Sequence, residues 1–370
     1  MSVLLKKPVF AGVSQKELAE QLEAKKKCQH KLPLWFETPQ IYYPKKLNIE
    51  QTSSEETARY KTTITEGKSL VDLTGGFGVD SYFFGQKFNT VFHCELNSCL
   101  SEIVAHNFKI LDAKNIEIIS NDGLNFLQEE NHHFDWVYVD PSRRNDLKGK
   151  VFRLSDCSPN VVDHLKLLFR KTENVLLKTS PLLDISAGIA ELRFVKEIHV
   201  VAVNNEVKEL LWVLKKDFSQ TITIKTINLK NSKNEIFNFK WGNEKKTVSN
   251  YSQPLVYLYE PNVSILKSGA FKLTGNAFSL FKLHEHTHLY TSNELVSFPG
   301  RRFKILASVP YNKKKLRAMK IEKANITLRN FPESVKSIRT KFKIKDGGET
   351  YLFFTTDHEG KYVVLECAKA

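Results

Sequence analysis

Between Leu70 and Asp80 the chain reads Leu70-Val71-Asp72-Leu73-Thr74-Gly75-Gly76-Phe77-Gly78-Val79-Asp80, an apolar run closed by an acid and followed by three glycines in four positions. Without a Cβ, glycine lets a ligand lie against the backbone, and a following helix N-terminus offers N–H groups that have no partner within the helix. A nucleotide-like cofactor commonly occupies such a turn, although a plain β–α turn looks the same. Three more acids follow it. Glu95, in Phe92-His93-Cys94-Glu95, stands about twenty residues on, where a carboxylate can accept both ribose hydroxyls of an adenosyl group. Asp122, in Asn121-Asp122-Gly123, is placed to hold an adenine amino group, and Asp140 ends Trp136-Val137-Tyr138-Val139-Asp140-Pro141-Ser142-Arg143. One acid at a strand end means little. Four in succession, each at the carboxyl end where open α/β sheets bind ligands, mark a cofactor site.

These residues need strands to carry them. From Lys68 to about Leu214 apolar runs alternate with amphipathic segments across short connections, the pattern of parallel strands with crossover helices. Strands are expected near 69–73, 90–94, 116–120, 135–139 and 174–178, and helices near 80–87, 98–110, 123–130, 160–170 and 184–191. Val195 to Val203 and Val207 to Leu214 then read as two strands separated only by Asn204-Asn205-Glu206. So short a loop forces them antiparallel, an ending that a plain dinucleotide-binding domain lacks.

Upstream, residues 1–67 form a helical arm. Ser14 with Glu17 makes a capping box, Pro33, Pro39 and Pro44 set turns, and Ser53-Ser54-Glu55-Glu56 starts another helix. The arm packs on the next domain or closes over the cofactor as a lid. Downstream, Thr221 to Ile227 and Glu235 to Trp241 alternate with period two and read as a hairpin, and a helix is expected over Val263 to Leu280. A small α+β region follows, with strands at 302–308, 323–329, 350–355 and 361–366 and helices at 311–319 and 332–341.

The chain has 370 residues, which favours two or three domains. Five cysteines without a CxxC pair read as reduced thiols. No apolar run approaches the roughly 18 residues of a membrane span, and Met1 to Val13 is too short and too interrupted for a signal peptide. A cytoplasmic protein is expected, with no membrane partner. The net charge of +14 is local: residues 301–345 hold fifteen Lys or Arg against two Glu, +13, and the rest of the chain carries +1. That segment is an electrostatic footprint for nucleic-acid phosphates. His284-Glu285-His286-Thr287-His288 matches the HExxH zinc pattern in form, but turn-like residues follow it and no further ligand is evident, so no metal is expected.

On the glycine turn and the acids behind it, residues 68–217 resemble a class I S-adenosylmethionine-dependent methyltransferase, with a seven-stranded, Rossmann-like sheet and a reversed last strand. The resemblance implies that Asp72, Gly75, Gly76 and Gly78 form the methionine-side loop, that Glu95 binds ribose and Asp122 adenine, and that Thr74, Asp80 and Gly123 share in the cofactor site. A carboxylate before the glycines suits the cofactor's α-ammonium and would repel a diphosphate. Asp140-Pro141-Ser142-Arg143 resembles the Asp/Asn-Pro-Pro-aromatic motif of enzymes that methylate exocyclic amines of nucleobases, making these four the implied catalytic residues; here Ser142 replaces the second proline and Arg143 the aromatic.

Phe331-Pro332-Glu333-Ser334-Val335 and the run from Lys345 to Phe354 are similar to the THUMP-like domain appended to a bacterial methyltransferase group. The implied layout is a linking hairpin and helical region over 218–299, a ferredoxin-like piece over 300–323 and a THUMP-like domain over 324–370. The function expected is methyl transfer to a base nitrogen of RNA, ribosomal or transfer, with the basic 301–345 region docking the RNA. The alternatives are a methyltransferase of protein or a small molecule, and an RNA-binding protein that has lost catalysis.

Overall fold

Parallel strands buried on both faces are near-continuous apolar runs, and the runs of this chain behave so: Leu70, Val71, Val137, Val139, Val175, Leu176 and Leu177 are fully buried. The computed structural model describes Gly12, residues 14–143 and residues 153–370, so the expectation about Met1 to Val13 falls, Gly12 apart, outside the described residues. The chain divides into two compact units, Met1–Val203 with Lys208–Gln220, and Asn204–Val207 with Thr221–Ala370.

In the first unit, β1 (Ser69–Asp72), β2 (Thr90–Cys94), β3 (Ile116–Ile119), β4 (Trp136–Val139) and β5 (Asn174–Thr179) are followed by β6 (Val195–Val203) and β7 (Glu206–Lys215). They lie in the order β3-β2-β1-β4-β5-β7-β6. β1 pairs with β2 and β4, β2 with β3, and β4 with β5, all parallel, whereas β7 runs antiparallel to β5. The turn into β7 needs two residues of positive φ, Asn204 at 49° and Asn205 at 66°, the signature of a type I′ hairpin. The seven expected strands form the reversed-end fold, each within two residues of its expected bounds, but they belong to a sheet of nine strands rather than seven.

The helices between them are capped by short polar side chains. Asn97 opens α6 (Ser98–Ile110), Asp122 opens α7 (Gly123–Glu129) and Asn160 opens α8 (Val161–Lys171), each accepting from backbone N–H groups of the first turn. α8 buries Val161, Leu165, Leu168 and Phe169, the helical spacing of one apolar face. The arm supplies α1 (Gln15–Lys31), α2 (Pro33–Glu37), α3 (Lys46–Gln51) and α4 (Glu55–Thr62), with Ser14 and Ser54 as N-caps. It packs on the domain: Trp35 of α2 is buried edge-on to Tyr82 and tilted against Phe77 and Phe83, on the glycine turn and on α5 (Val79–Gly85) that follows it.

The second unit starts with the expected hairpin, Thr223–Leu229 against Glu235–Lys240. The single helix expected over 263–280 is two, Val263–Ser268 and Phe271–Ala277. Gly269 adopts φ 75°, a left-handed conformation that ends a helix. A mixed sheet follows, in which Lys323–Arg329 forms the edge and pairs in parallel with Lys345–Thr356. Helices Lys313–Ala318 and Val335–Phe342 cover one face through Leu316 and Ile338, packed with Leu352, Phe354 and Val364. The His284–His288 stretch is a turn, not the helix that an HExxH site requires.

Candidate active site

The glycine turn sits at the carboxyl ends of β1, β2 and β4 and is stitched to both neighbours. Gly75 N–H donates to the Cys94 carbonyl (2.8 Å), Gly76 N–H to Glu95 Oε2 (2.9 Å) and Asp140 N–H to Thr74 Oγ1 (2.7 Å). Each glycine has its own reason. A Cβ on Gly75 would lie 2.1 Å from the buried His93 ring, and one on Gly123 would lie 2.3 Å from the Leu73 carbonyl oxygen. Gly76 (φ 56°) and Gly78 (φ 80°) turn the chain through the left-handed region. A Cβ on Gly76 would meet nothing nearer than Thr74 O at 3.8 Å, so the outer side of the turn is open to a ligand.

Of the five acids implied in the site, Glu95 and Asp122 face outward, Asp72 and Asp80 hold the turn from beneath, and Asp140 stands beside it. Glu95 is half-buried, with one oxygen on Gly76 N–H and the other on Asn97 N–H (2.7 Å). Asp122, also half-buried, caps α7 through Oδ1 alone, on Leu124 and Asn125 N–H. Asp72 is buried, its oxygens taken by Thr74 N–H (3.0 Å) and the Ser81 hydroxyl (2.6 Å). Burial pushes its carboxyl up to about 7, against the pull of those two hydrogen bonds. The acid expected to face an ammonium is instead spent inside the turn.

Asp80 also points inward. It accepts from the Ser53 and Tyr138 hydroxyls (2.7 Å each) and pairs with the Lys61 ammonium at 3.1 Å. Burial works to raise its carboxyl, but the Lys61 and Lys178 charges prevail and hold it below the usual range. Lys61, from arm helix α4, is fully buried and also bonds Glu209 of β7 (2.9 Å) and Ser53 (3.0 Å).

Asp140 ends β4 with its side chain one-third exposed, and its Oδ2 is held by Lys178 of β5, whose side chain is 11 % exposed. Burial works to lower the Lys178 ammonium, yet the carboxylates of Asp140, Asp80 and Glu209 overcome it and keep the lysine cationic. After Pro141, Ser142 and Arg143 form a two-residue antiparallel bridge with Ser158 and Cys157. The site thus brings Thr74, the three glycines, Glu95, Asp122, Gly123 and Asp140 to one edge of the sheet, and sets Asp72 and Asp80 under it.

Lys61, Lys178 and Glu209 escaped the sequence reading. The available signal was a single charge inside an apolar strand, as in Leu176-Leu177-Lys178 and Glu209-Leu210-Leu211. A recess of about 460 Å³ lined by Lys68, Asn89, Thr90, Glu117, His132 and His133 opens at the opposite, amino ends of the strands and touches none of these groups. Among the described residues, no group of three or more His, Cys, Asp or Glu is arranged to hold a metal ion, and no helix is long and apolar enough to cross a membrane.

Comparison with known proteins agrees with this architecture. Residues 257–299 match a ferredoxin-like domain family and residues 300–369 a THUMP domain-like family, so the ferredoxin-like match lies wholly upstream of the 300–323 piece expected for it. The crystal structure of a protein from Porphyromonas gingivalis W83, described as a "putative methyltransferase", is 33% identical, covers 100% of this chain and 94% of its own, and superposes with a TM-score of 0.92. A Streptococcus thermophilus structure described as an rRNA methylase is 12% identical, covering 43% of this chain and 95% of its own, with a TM-score of 0.31. A Streptococcus mutans protein described as a "putative methyltransferase" in complex with SAH is 10% identical, covering 43% and 96%, with a TM-score of 0.32. Similarities as remote as these two carry no argument about this chain. No curated protein matches it. On the near-full-length relative, the reversed-end sheet and the two C-terminal matches, the chain belongs to the class I methyltransferases that carry ferredoxin-like and THUMP-like C-terminal domains.

Proposed function

We propose that this protein is an S-adenosylmethionine-dependent methyltransferase that modifies a base nitrogen of ribosomal or transfer RNA in the cytoplasm. The observation that carries the reading is the open glycine turn, bonded on one side to Glu95 and on the other, through Thr74, to Asp140. The residues suit the cofactor. Gly76 leaves room for a ligand against the backbone, Glu95 can accept from ribose hydroxyls, and the second oxygen of Asp122 can accept from the adenine amine. Asp72 supports the turn from beneath. When bound, S-adenosylmethionine supplies a methyl group on a sulfonium.

The chain's own part is positioning. Thr74 fixes the Asp140 backbone, Lys178 fixes Oδ2, and Oδ1 is left to accept a hydrogen from the acceptor nitrogen and so aim its lone pair. Pro141, Ser142 and Arg143 complete the motif beside it. The fifteen cations of 301–345 support RNA as the partner.

Two measurements test this. Calorimetry should find S-adenosylmethionine and S-adenosylhomocysteine bound, and an absence of heat up to millimolar cofactor refutes the enzyme. Radiolabelled methyl transfer to total RNA and total protein from cells lacking the gene should label RNA; label confined to protein refutes the substrate.

A further inference from the structure

Four of the fifteen cations of 301–345 are tied to acids. Arg301 and Arg329 share Glu260, Arg339 holds Asp346 and Lys341 holds Glu333. By contrast Lys314, Arg317, Lys320, Lys323, Lys343 and Lys345 are exposed and form no ion pair among the described residues. Four of these gather at one end of the sheet edge. Lys323 and Lys345 stand opposite each other in the parallel ladder, and Lys345 N–H donates to the Glu322 carbonyl at 2.8 Å. Lys320 leaves the first covering helix and Lys343 ends the second, both in the left-handed conformation, at φ 50° and 59°. Glu322 beside Lys323, and Glu349 after the two glycines that lie against the Lys323 stem, are acids there that form no ion pair among the described residues. Like charges directly opposed across two strands destabilise a sheet, a cost that a bound polyanion offsets.

The aromatic side chains of the same segment point the other way. Phe303 is buried against Phe353 and Tyr351, and Tyr311, Phe331 and Phe342 pack with the core under the two helices. No aromatic of 301–345 is exposed. Single-stranded RNA is gripped by bases stacked on aromatic platforms beside a cationic groove, whereas duplex RNA is held by its phosphates and shape. We infer that this lysine edge docks the phosphate backbone of a duplex RNA segment, so that the C-terminal unit selects a helical stem and reads no sequence. The inference rests on RNA being the substrate and names the kind of RNA.

Fluorescence anisotropy with the full chain tests it, comparing an RNA hairpin with a long stem and an unstructured oligouridine of equal length from 50 to 200 mM salt. The hairpin is expected to bind about ten-fold tighter or more, through phosphate contacts that the stem alone presents in register. Replacing Lys320, Lys323, Lys343 and Lys345 together by Ala should lower its salt slope by about one for each lost contact. Thermal stability should not fall, because the opposed charges of Lys323 and Lys345 are removed, and S-adenosylhomocysteine affinity should stay unchanged. Oligouridine bound as tightly as the hairpin, or an unaltered slope in the variant, overturns this inference and leaves the RNA substrate standing. Failure of both RNAs to bind removes the RNA reading and the inference with it.

Discussion

Lys61→Met removes one charge from the middle of the first unit while keeping most of the side chain's length and apolar stem. The wild-type ammonium is fully buried, 2.9 Å from Glu209 Oε2, 3.1 Å from Asp80 Oδ1 and 3.0 Å from Ser53 Oγ. Taking one partner from a buried ion pair costs about 3–5 kcal/mol, because the remaining charge is left without compensation. The two acids do not suffer equally. Asp80 keeps the Ser53 and Tyr138 hydroxyls and the field of Lys178. Glu209 also keeps the field of Lys178 but loses Lys61 as its hydrogen-bond donor, and its Oε1 already has no hydrogen-bond partner among the described residues. Most of the loss therefore falls on Glu209, and Glu209→Gln added to Lys61→Met should restore about 1–3 kcal/mol, the scale of coupling between contacting residues. The deficit of Lys61→Met alone should also respond to pH. Burial already raises the Glu209 carboxyl against the pull of Lys61; without Lys61 the folded variant binds a proton more tightly than the unfolded chain, so its deficit narrows as pH falls from 8 to 5. Urea unfolding followed by tryptophan fluorescence reads all three quantities. A Lys61→Met variant within about 1 kcal/mol of wild type, or a double variant whose loss is the sum of the singles, refutes the assignment of this network as one buried electrostatic unit.

Asp72 sets a slope of the opposite kind to a surface carboxylate. Its folded value, about 7, lies above the ordinary 3.8, so the stability it contributes is present at low pH and is lost as pH rises between those values, about 4 kcal/mol at most; Asp72→Asn should flatten that slope in unfolding measurements at pH 4 to 8. Asp140→Ala should reduce methyl transfer by about 100-fold or more while S-adenosylhomocysteine still binds in calorimetry. Lys178→Met should reduce transfer in the wild-type background but add little in Asp140→Ala, since Lys178 acts by holding Asp140; full additivity would remove that role. Gly75→Ala should cost about 1–3 kcal/mol through the clash with His93, seen as a lowered thermal midpoint.

The sheet was legible because burial on both faces leaves apolar runs, and because glycines and acids punctuate their ends. The turn at 75–78 and the acids at 95, 122 and 140 were found by position, since a strand's carboxyl end is recognisable in sequence. Which way an acid points is not. Asp72 and Asp80 flank the glycines as Glu95 and Asp122 follow them, yet the first two turn inward because Ser81, Thr74, Ser53 and Lys61 wait there. Those partners come from the turn, the helix after it, and the arm at and before α4, and spacing along the chain does not reveal which way they draw an acid. Lys178 was invisible for the same reason: its meaning depends on Asp140, a neighbour only once β4 and β5 lie side by side. The break at Gly269 was a local choice, since one glycine within an apolar pattern is compatible with either a continuous helix or a cap.

The bond from Lys61 to Glu209 spans 148 positions of sequence. During synthesis the arm, the glycine turn and Asp80 all leave the ribosome well before the strand that neutralises the lysine. Until then the nascent chain has reason to keep Lys61 and Asp80 hydrated, and the arm cannot seal against the sheet without burying an incomplete set of charges. Arm and last strand are thereby obliged to close together, making the domain one long-range cooperative event. Fragments ending before Val195 should accordingly show no cooperative unfolding transition, and a sharp one in such a fragment would show that the arm and the early strands consolidate without Glu209.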